Sequence, residues 1–289
     1  MTAAPHSHLT TTHYHDPHHA LITLMNFTSD MEIQQDLRVL IDSGNIGKLE
    51  KRLSELATLT EAQLDVAFTY AVGNGSADVV GTLMRHGARL KYMSWIELSK
   101  RGELSIYHMV IDNGWDINST EFGAPAIMMV SWDNEELLRW LLENGANPNT
   151  TNERRPNTCN DIMTPLACAA LAPETAHLEL LLSYGAEMDN DALFRAISAR
   201  SHRNGSHVAH LKILLDHGAD VNYRSRKWGT PLHYAIQYER KAMIEYLLER
   251  GAAPTVVTVR GSPVEHARDK GRMDLVKIIL EAIENHRIK

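Results

Sequence analysis

Apolar side chains recur with a helical period over residues 229–252, which read GTPLHYAIQYERKAMIEYLLERGA. Met243, Ile244, Leu247 and Leu248 follow the three- and four-residue spacing that places side chains on one face of a helix. A shorter apolar block, PLHYAI, precedes them, with polar residues between the two blocks. The pattern predicts two short helices, each with one apolar face.

The ends of this stretch carry helix start and stop signals. The Thr230 hydroxyl can accept a hydrogen bond from a free backbone N–H group at a helix start, and Pro231 suits the first helical position. Gly251 can adopt the left-handed conformation that ends a helix. The chain must therefore reverse between the helices, near Glu239, and the stretch is an antiparallel helix pair.

The same pattern returns along the chain. From Thr230 to the Gly-Ala that closes the pair is twenty-one places, and the same interval separates Thr164 from Gly185 and Ala124 from Gly145. Further copies begin at Ser262, Asp191 and, more weakly, at positions 93 and 66, and a still weaker one covers about residues 36–59. A pattern that recurs along the chain with the same internal spacing indicates a repeat architecture rather than a globular core.

The segments TPLHYA (230–235), LLERGA (247–252) and LLDHGADVN (214–222) resemble the ankyrin repeat family. The resemblance covers about residues 36–285 and implies an all-α fold, an α-solenoid of helix-turn-helix repeats with short β-hairpin fingers. We expect a flexible His-rich tail over residues 1–30 and a repeat domain over residues 31–289, with about seven or eight units of which the first three are degenerate.

Repeat spacing predicts where loops project. Where successive copies begin only 27 residues apart, no room is left for a finger, and this applies after Gly87 and after Gly185. Where they begin 40 residues apart, the extra residues fall at 147–163 and predict a projecting loop. A step of 39 has its excess between the two helices of one unit, around residues 199–210.

Composition narrows the function. The chain of 289 residues has 29 Lys and Arg against 36 Asp and Glu, and this net charge of -7 argues against tight, sequence-blind nucleic-acid binding. Cys159 and Cys168 are expected to be free thiols. The first basic residue is Arg38, and the apolar run from Leu21 to Met25 is too short to span a membrane, so we expect a cytoplasmic or nuclear protein.

Catalytic and metal-binding signatures are absent from the sequence, and no cofactor is expected. His233 occupies the position whose side chain, in the family it resembles, braces the helix start and the finger. The His-rich tail suits either a disordered segment or binding of a soft divalent ion. His202, His207 and His210 are interpreted as part of a solvated loop and helix start rather than as metal ligands.

A basic and aromatic surface is the candidate binding site. Inter-repeat fingers carry clustered arginine and lysine residues, and the first helix of one unit carries two tyrosines four places apart, with a tryptophan before it. Such residues are common anchors of protein interfaces. The candidate partner-binding residues are Arg154, Arg155, Arg224, Arg226, Lys227, Trp228, Tyr234 and Tyr238.

Two functions fit these features. The first is a protein-protein interaction module that binds a partner, through an acidic segment, with its concave groove and finger tips. The second is an enzyme or small-ligand protein that uses the groove as its pocket, with Asp161, Glu265 and His266 as titratable candidates. The large residues of the degenerate units, Trp95 and Trp115 among them, form either a core of their own or a pocket.

Overall fold

The computed structural model describes residues 17–56, 59–130, 133–152, 162–199 and 207–288, with side chains from residue 30 onward apart from residues 207 and 286–288. Arg154, Arg155, Cys159, Asp161 and the tip of the predicted projecting loop lie outside the described residues. So do residues 1–16 of the predicted tail. The remainder of that tail, residues 17–30, belongs to the first helix.

The chain divides into two compact units. Unit 1 comprises residues 1–98 and 108–113, and unit 2 comprises residues 99–107 and 114–289. The helices are α1 (Pro17–Ser43), α2 (Ile46–Glu55), α3 (Glu61–Asn74), α4 (Ala77–Arg85), α5 (Tyr92–Arg101), α6 (Leu104–Asp112), α7 (Glu135–Glu143), α8 (Pro165–Ala169), α9 (Ala176–Ser183), α10 (Asp191–Ser198), α11 (His207–Asp216), α12 (Pro231–Gln237), α13 (Lys241–Glu249), α14 (Pro263–Asp269) and α15 (Met273–Ile288), with one 3₁₀ helix at Ala126–Met128.

The predicted cap residues begin the helices. In α12 the Thr230 side chain accepts a hydrogen bond from the His233 backbone N–H, and Pro231 occupies the first turn. Ser262 caps α14 in the same way, and the Glu265 carboxylate accepts a hydrogen bond from the Ser262 backbone N–H at 2.7 Å. These contacts satisfy donors that the helix itself leaves free.

Left-handed glycines follow the second helices, as the Gly-Ala pattern predicts. Only a residue without Cβ adopts this conformation at little cost, so each glycine stops its helix at a fixed place. Their φ angles lie between 83° and 98° at Gly87, Gly114, Gly145, Gly185, Gly218 and Gly251.

In neighbouring helix pairs, first helices pack against first helices and second helices pack against second helices. In unit 2, α12 contacts α10 and α14, while α13 contacts α11 and α15. The apolar faces meet in a continuous core in which Phe194, Ala235, Ile244 and Leu247 are fully buried. The predicted all-α repeat architecture is therefore confirmed, since each pair covers the apolar face that its neighbour leaves open.

Asparagine side chains connect successive pairs. Asn222 donates to the carbonyl of Gly251 at 3.1 Å and accepts from the backbone N–H of Ala253 at 2.7 Å. Asn118 and Asn149 make the same two bonds to the next pair along the chain. Each asparagine therefore fixes the spacing between the ends of adjacent second helices.

Two local predictions differ from the structure. The copy at Ala124 was expected to begin with a helix, but only the 3₁₀ turn forms, and its Pro125 cap makes no side-chain hydrogen bond. The predicted β-hairpin fingers shrink to single bridges, Ser225–Gly229 and Thr258–Gly261, among the residues described.

Candidate partner-binding surface

A tight finger between α11 and α12 presents three of the predicted residues. Ser225 and Gly229 exchange backbone hydrogen bonds of 2.9 and 3.0 Å, which close a turn over Arg226, Lys227 and Trp228. The Ser225 hydroxyl also accepts from the backbone N–H of Lys227 at 3.3 Å. The finger is thus held by its own backbone, and Arg226 and Lys227 remain exposed at its tip.

Trp228 joins an aromatic cluster with side chains from two helices. Its ring centroid lies 5.0 Å from that of Phe194 on α10 and 5.3 Å from that of Tyr234 on α12. Tyr223 completes the cluster, with its centroid 6.2 Å from that of Phe194. Tilted and edge-on ring contacts of this kind stabilise by about 0.5–1.5 kcal/mol beyond the area they bury.

The two predicted tyrosines differ in exposure. Tyr234 is only 8% exposed, whereas Tyr238, whose ring centroid is 4.9 Å away, is 39% exposed. Burial, together with a hydrogen bond to the Tyr238 hydroxyl, raises the pKa of Tyr234 to about 12. Tyr234 is therefore a neutral, packed support, and Tyr238 and the half-buried Trp228 supply the accessible aromatic surface.

Cations surround the Trp228 ring. The Lys227 ammonium lies 5.1 Å from the ring centroid and the Arg195 guanidinium lies 5.6 Å from it. Both distances fall within the range of favourable cation-π contact. Arg224 and Arg226 are exposed, and no ion pair joins either of them to another residue that the structure describes. We call the set Arg195, Arg224, Arg226, Lys227, Trp228, Tyr234 and Tyr238 the Trp228 surface.

Phe194 and Arg195 were missed by the sequence reasoning. They lie in the DALFRA copy, at the fourth and fifth positions that His233 and Tyr234 occupy one unit later. Because first helices of adjacent units stack side by side, equivalent positions become neighbours in space. Aligning the copies position by position would have placed Arg195 beside Tyr234.

His233 has the bracing contacts that its family resemblance implies. Its Nε2 donates to the carbonyl of Gly261 at 3.1 Å, so Nδ1 is free to accept from the Thr230 hydroxyl at 2.8 Å. Burial lowers the pKa of His233 below its usual value, which favours this neutral tautomer. The side chain links the start of α12 to the next finger and has no free nitrogen for chemistry.

Of the three titratable groups considered for an enzyme, Glu265 and His266 lie within the described residues and Asp161 does not. The Glu265 carboxylate accepts from the backbone N–H and the hydroxyl of Ser262, and these bonds lower its pKa. Burial, aided by the positive charge of Arg260, lowers the pKa of His266 to about 4. Neither group lines the cleft found in unit 1, and nothing in the described geometry favours the enzyme alternative.

The described part of the chain offers neither a metal site nor a membrane span. Over the residues with described side chains, no three His, Cys, Asp or Glu groups come together as ligands for a metal ion. His210 is buried, and its Nε2 lies 3.2 Å from the carbonyl of Glu174, whereas His202 and the side chain of His207 lie outside the described residues.

None of the described helices is long and apolar enough to cross a membrane. Cys168 is a free thiol.

Comparison with known proteins places these helix pairs in a family. A family model described as ankyrin repeats matches three overlapping stretches, residues 126–225, 178–258 and 201–288, which together cover more than half of the chain. The crystal structure of the human ASB11 ankyrin repeat domain is similar in fold, with a TM-score of 0.52 and 21% sequence identity over 64% of this chain and 81% of that one. With its capped helix pairs, left-handed glycines and finger-bracing histidine, the chain belongs to the ankyrin repeat family.

Proposed function

We propose that this protein is an interaction module whose Trp228 surface binds an acidic segment of a partner protein. Ankyrin repeats generally serve as protein-protein interaction modules. The observation that carries the proposal is the combination of Trp228 and Tyr238 with the exposed Arg224 and Arg226, which form no ion pair with a described residue.

The chemistry of the surface favours one kind of partner. Exposed guanidinium groups bind carboxylates through paired hydrogen bonds, and an aromatic face beside them accepts an apolar side chain. A segment with Asp or Glu next to Leu, Phe or Tyr satisfies both halves of the surface. The partner would meet it in a reducing compartment, the cytoplasm or the nucleus, as the two-cysteine composition suggests.

A random peptide library displayed on phage tests the proposal even though the partner is unidentified. Selection on the wild-type protein should enrich peptides with acidic residues next to an apolar one. Tyr238→Ala should weaken binding of that peptide class about fivefold, because it removes accessible ring area without opening the core. Binding should also weaken as salt is raised.

Tyr184 provides a matched control, since it is 37% exposed and lies in the same unit. Tyr184→Ala should leave the affinity for the acidic peptides unchanged. If no acidic class is selected, or if both tyrosine variants lose affinity equally, the Trp228 surface is not the binding site.

A further inference from the structure

A second surface lies in unit 1, away from the residues that sequence reasoning singled out. Side chains of α1, α3 and α5 and of the segment before α5 border an open cleft of about 580 Å³. This volume falls within the range of known ligand-binding clefts. Residues that define it are Arg38, Asp65, Val66, Tyr70, Tyr92 and Met93.

Large apolar side chains remain uncovered at this cleft. Val66 and Tyr92 are each 46% exposed, and Met93 is 60% exposed. Val66 belongs to α3, and Tyr92 and Met93 belong to the first turn of α5. Because all three line the same cleft, they form one patch. A contiguous apolar patch rimmed by polar groups is typical of a binding site.

The charge around the cleft is negative. The Lys91 ammonium is held by the carboxylates of Glu61 and Asp65, with Nζ 2.7 Å from Glu61 Oε1. The Tyr70 hydroxyl donates to Asp42 at 2.9 Å, and Glu97 lines the cleft. Four carboxylates, those of Asp42, Glu61, Asp65 and Glu97, thus lie in or next to the cleft, against two cations, the Arg38 guanidinium and the Lys91 ammonium.

One cation already rests on an aromatic face here. The Arg38 guanidinium carbon lies 5.1 Å from the centroid of the Tyr70 ring. The Tyr70 ring face is therefore occupied by a cation of the chain itself, and the cleft offers a partner apolar contact and an excess of negative charge.

We infer that the unit 1 cleft binds a basic segment of another protein, with an apolar side chain seated on Tyr92 and Met93 and a flanking Lys or Arg near Asp65 and Glu97. Charge complementarity selects this occupant, because an acidic segment would meet the excess of carboxylates. The inference does not depend on the Trp228 surface, which has the opposite charge preference.

Fluorescence anisotropy with short labelled peptides tests the inference on the full chain. The probe has a central Leu flanked by Lys and Arg, and its two counterparts carry Glu and Asp in place of the basic residues or Ala in place of Leu. We expect the Ala counterpart to bind about fivefold more weakly. Tyr92→Ala and Met93→Ala should each weaken binding of the basic probe by a similar factor. The acidic counterpart should respond to neither substitution.

Met273→Ala is the matched control, because Met273 is 65% exposed but lies in unit 2. It should leave binding of the basic probe unchanged. Circular dichroism checks that all variants keep their helices. The inference is overturned if the basic probe does not bind, or if Tyr92→Ala and Met93→Ala bind it as well as the wild-type protein does.

Sedimentation velocity of the protein alone tests whether a second copy of the chain occupies the cleft. Self-association that disappears in Met93→Ala would assign the cleft to another molecule of this chain and would also overturn the inference. A failed selection of acidic peptides would contradict only the Trp228 surface, so the two proposals fail separately.

Discussion

Glu239, between α12 and α13, holds its backbone at a φ of 56°, in the left-handed region that glycine usually occupies. Gly102 and Gly271 take similar angles, 59° and 70°, at the equivalent position of their own pairs. The Glu239 carboxylate pairs with Arg272, which also binds Asp274. An exposed ion pair of this kind offsets little of the backbone strain.

Glu239→Gly is therefore expected to stabilise the protein. A side chain in the left-handed region destabilises the fold by about 1–2 kcal/mol, and Gly removes this strain. Loss of the surface ion pair costs at most about 1 kcal/mol of stability. We expect the free energy of unfolding in urea to rise by up to about 1 kcal/mol. Glu239→Ala, which loses the ion pair but keeps the strain, is the control. If the Gly variant is no more stable than the Ala variant, the left-handed backbone at residue 239 does not strain the fold.

His266 makes stability depend on pH. Its ring is buried, Nε2 has no hydrogen-bond partner among the described residues, and the positive charges of Arg260 and Lys270 oppose protonation of the ring, which Asp269 only partly offsets. The folded-state pKa of about 4 lies below the usual histidine value of 6.5, so the unfolded chain binds a proton first as the pH falls. The stabilising contribution is present above pH 6.5 and is lost progressively as the pH falls toward 4.

NMR titration of the histidine ring signals measures this directly. The His266 ring should stay neutral well below the usual histidine pKa of 6.5, and the urea midpoint should fall over the same range. His266→Gln, which does not titrate, should show a shallower fall. A His266 ring that titrates near 6.5 would contradict the account.

The elements of this fold show which features of the sequence determine local structure. The Thr-Pro starts and Gly-Ala ends predicted α8, α12 and the closing glycines, because caps and left-handed turns depend on single residue types. The copy at Ala124 forms only a 3₁₀ turn at residues 126–128, and its Ala124 has no side-chain oxygen to cap a helix, a difference that the spacing of the copies alone did not reveal. A pocket in the degenerate units was left open as an alternative, but Tyr92 and Met93 were not named, because the template has Gly229 and Thr230 at their positions and gives no reason to expect large apolar side chains there.

The asparagine ladder is the element-scale feature most open to test. Asn222→Ala removes two hydrogen bonds to the next helix pair, and we expect a loss of about 1–2 kcal/mol in the free energy of unfolding. Amide exchange at Ala253 should also accelerate. Asn144→Ala is the control, because Asn144 donates only to Trp140 within its own turn. Equal losses in both variants would show that the ladder does not connect the pairs.

At the scale of the whole molecule, a net charge of -7 conceals two surfaces of opposite character. Unit 2 carries the exposed arginines of the Trp228 surface, and unit 1 carries the carboxylates of its cleft. Residue counts predicted an acidic protein, and the positions of arginine and lysine in the inter-repeat fingers predicted a local basic surface. They could not predict the aromatic cluster that accompanies this surface, because Phe194 and Trp228 are 34 positions apart in the sequence and meet only through stacking of α10 and α12.

Charge reversal at the finger tests the proposed function most directly. The variant carries Arg224→Glu, Arg226→Glu and Lys227→Glu, and its control carries Lys48→Glu, Arg89→Glu and Lys212→Glu at three other exposed positions. The measurement is the dissociation constant for a labelled peptide with a central Phe flanked by Glu and Asp. We expect the finger variant to bind about tenfold or more weakly than the wild-type protein, with its circular dichroism spectrum unchanged, and the control to lose much less. Equal affinities of the two variants would contradict binding at the Trp228 surface.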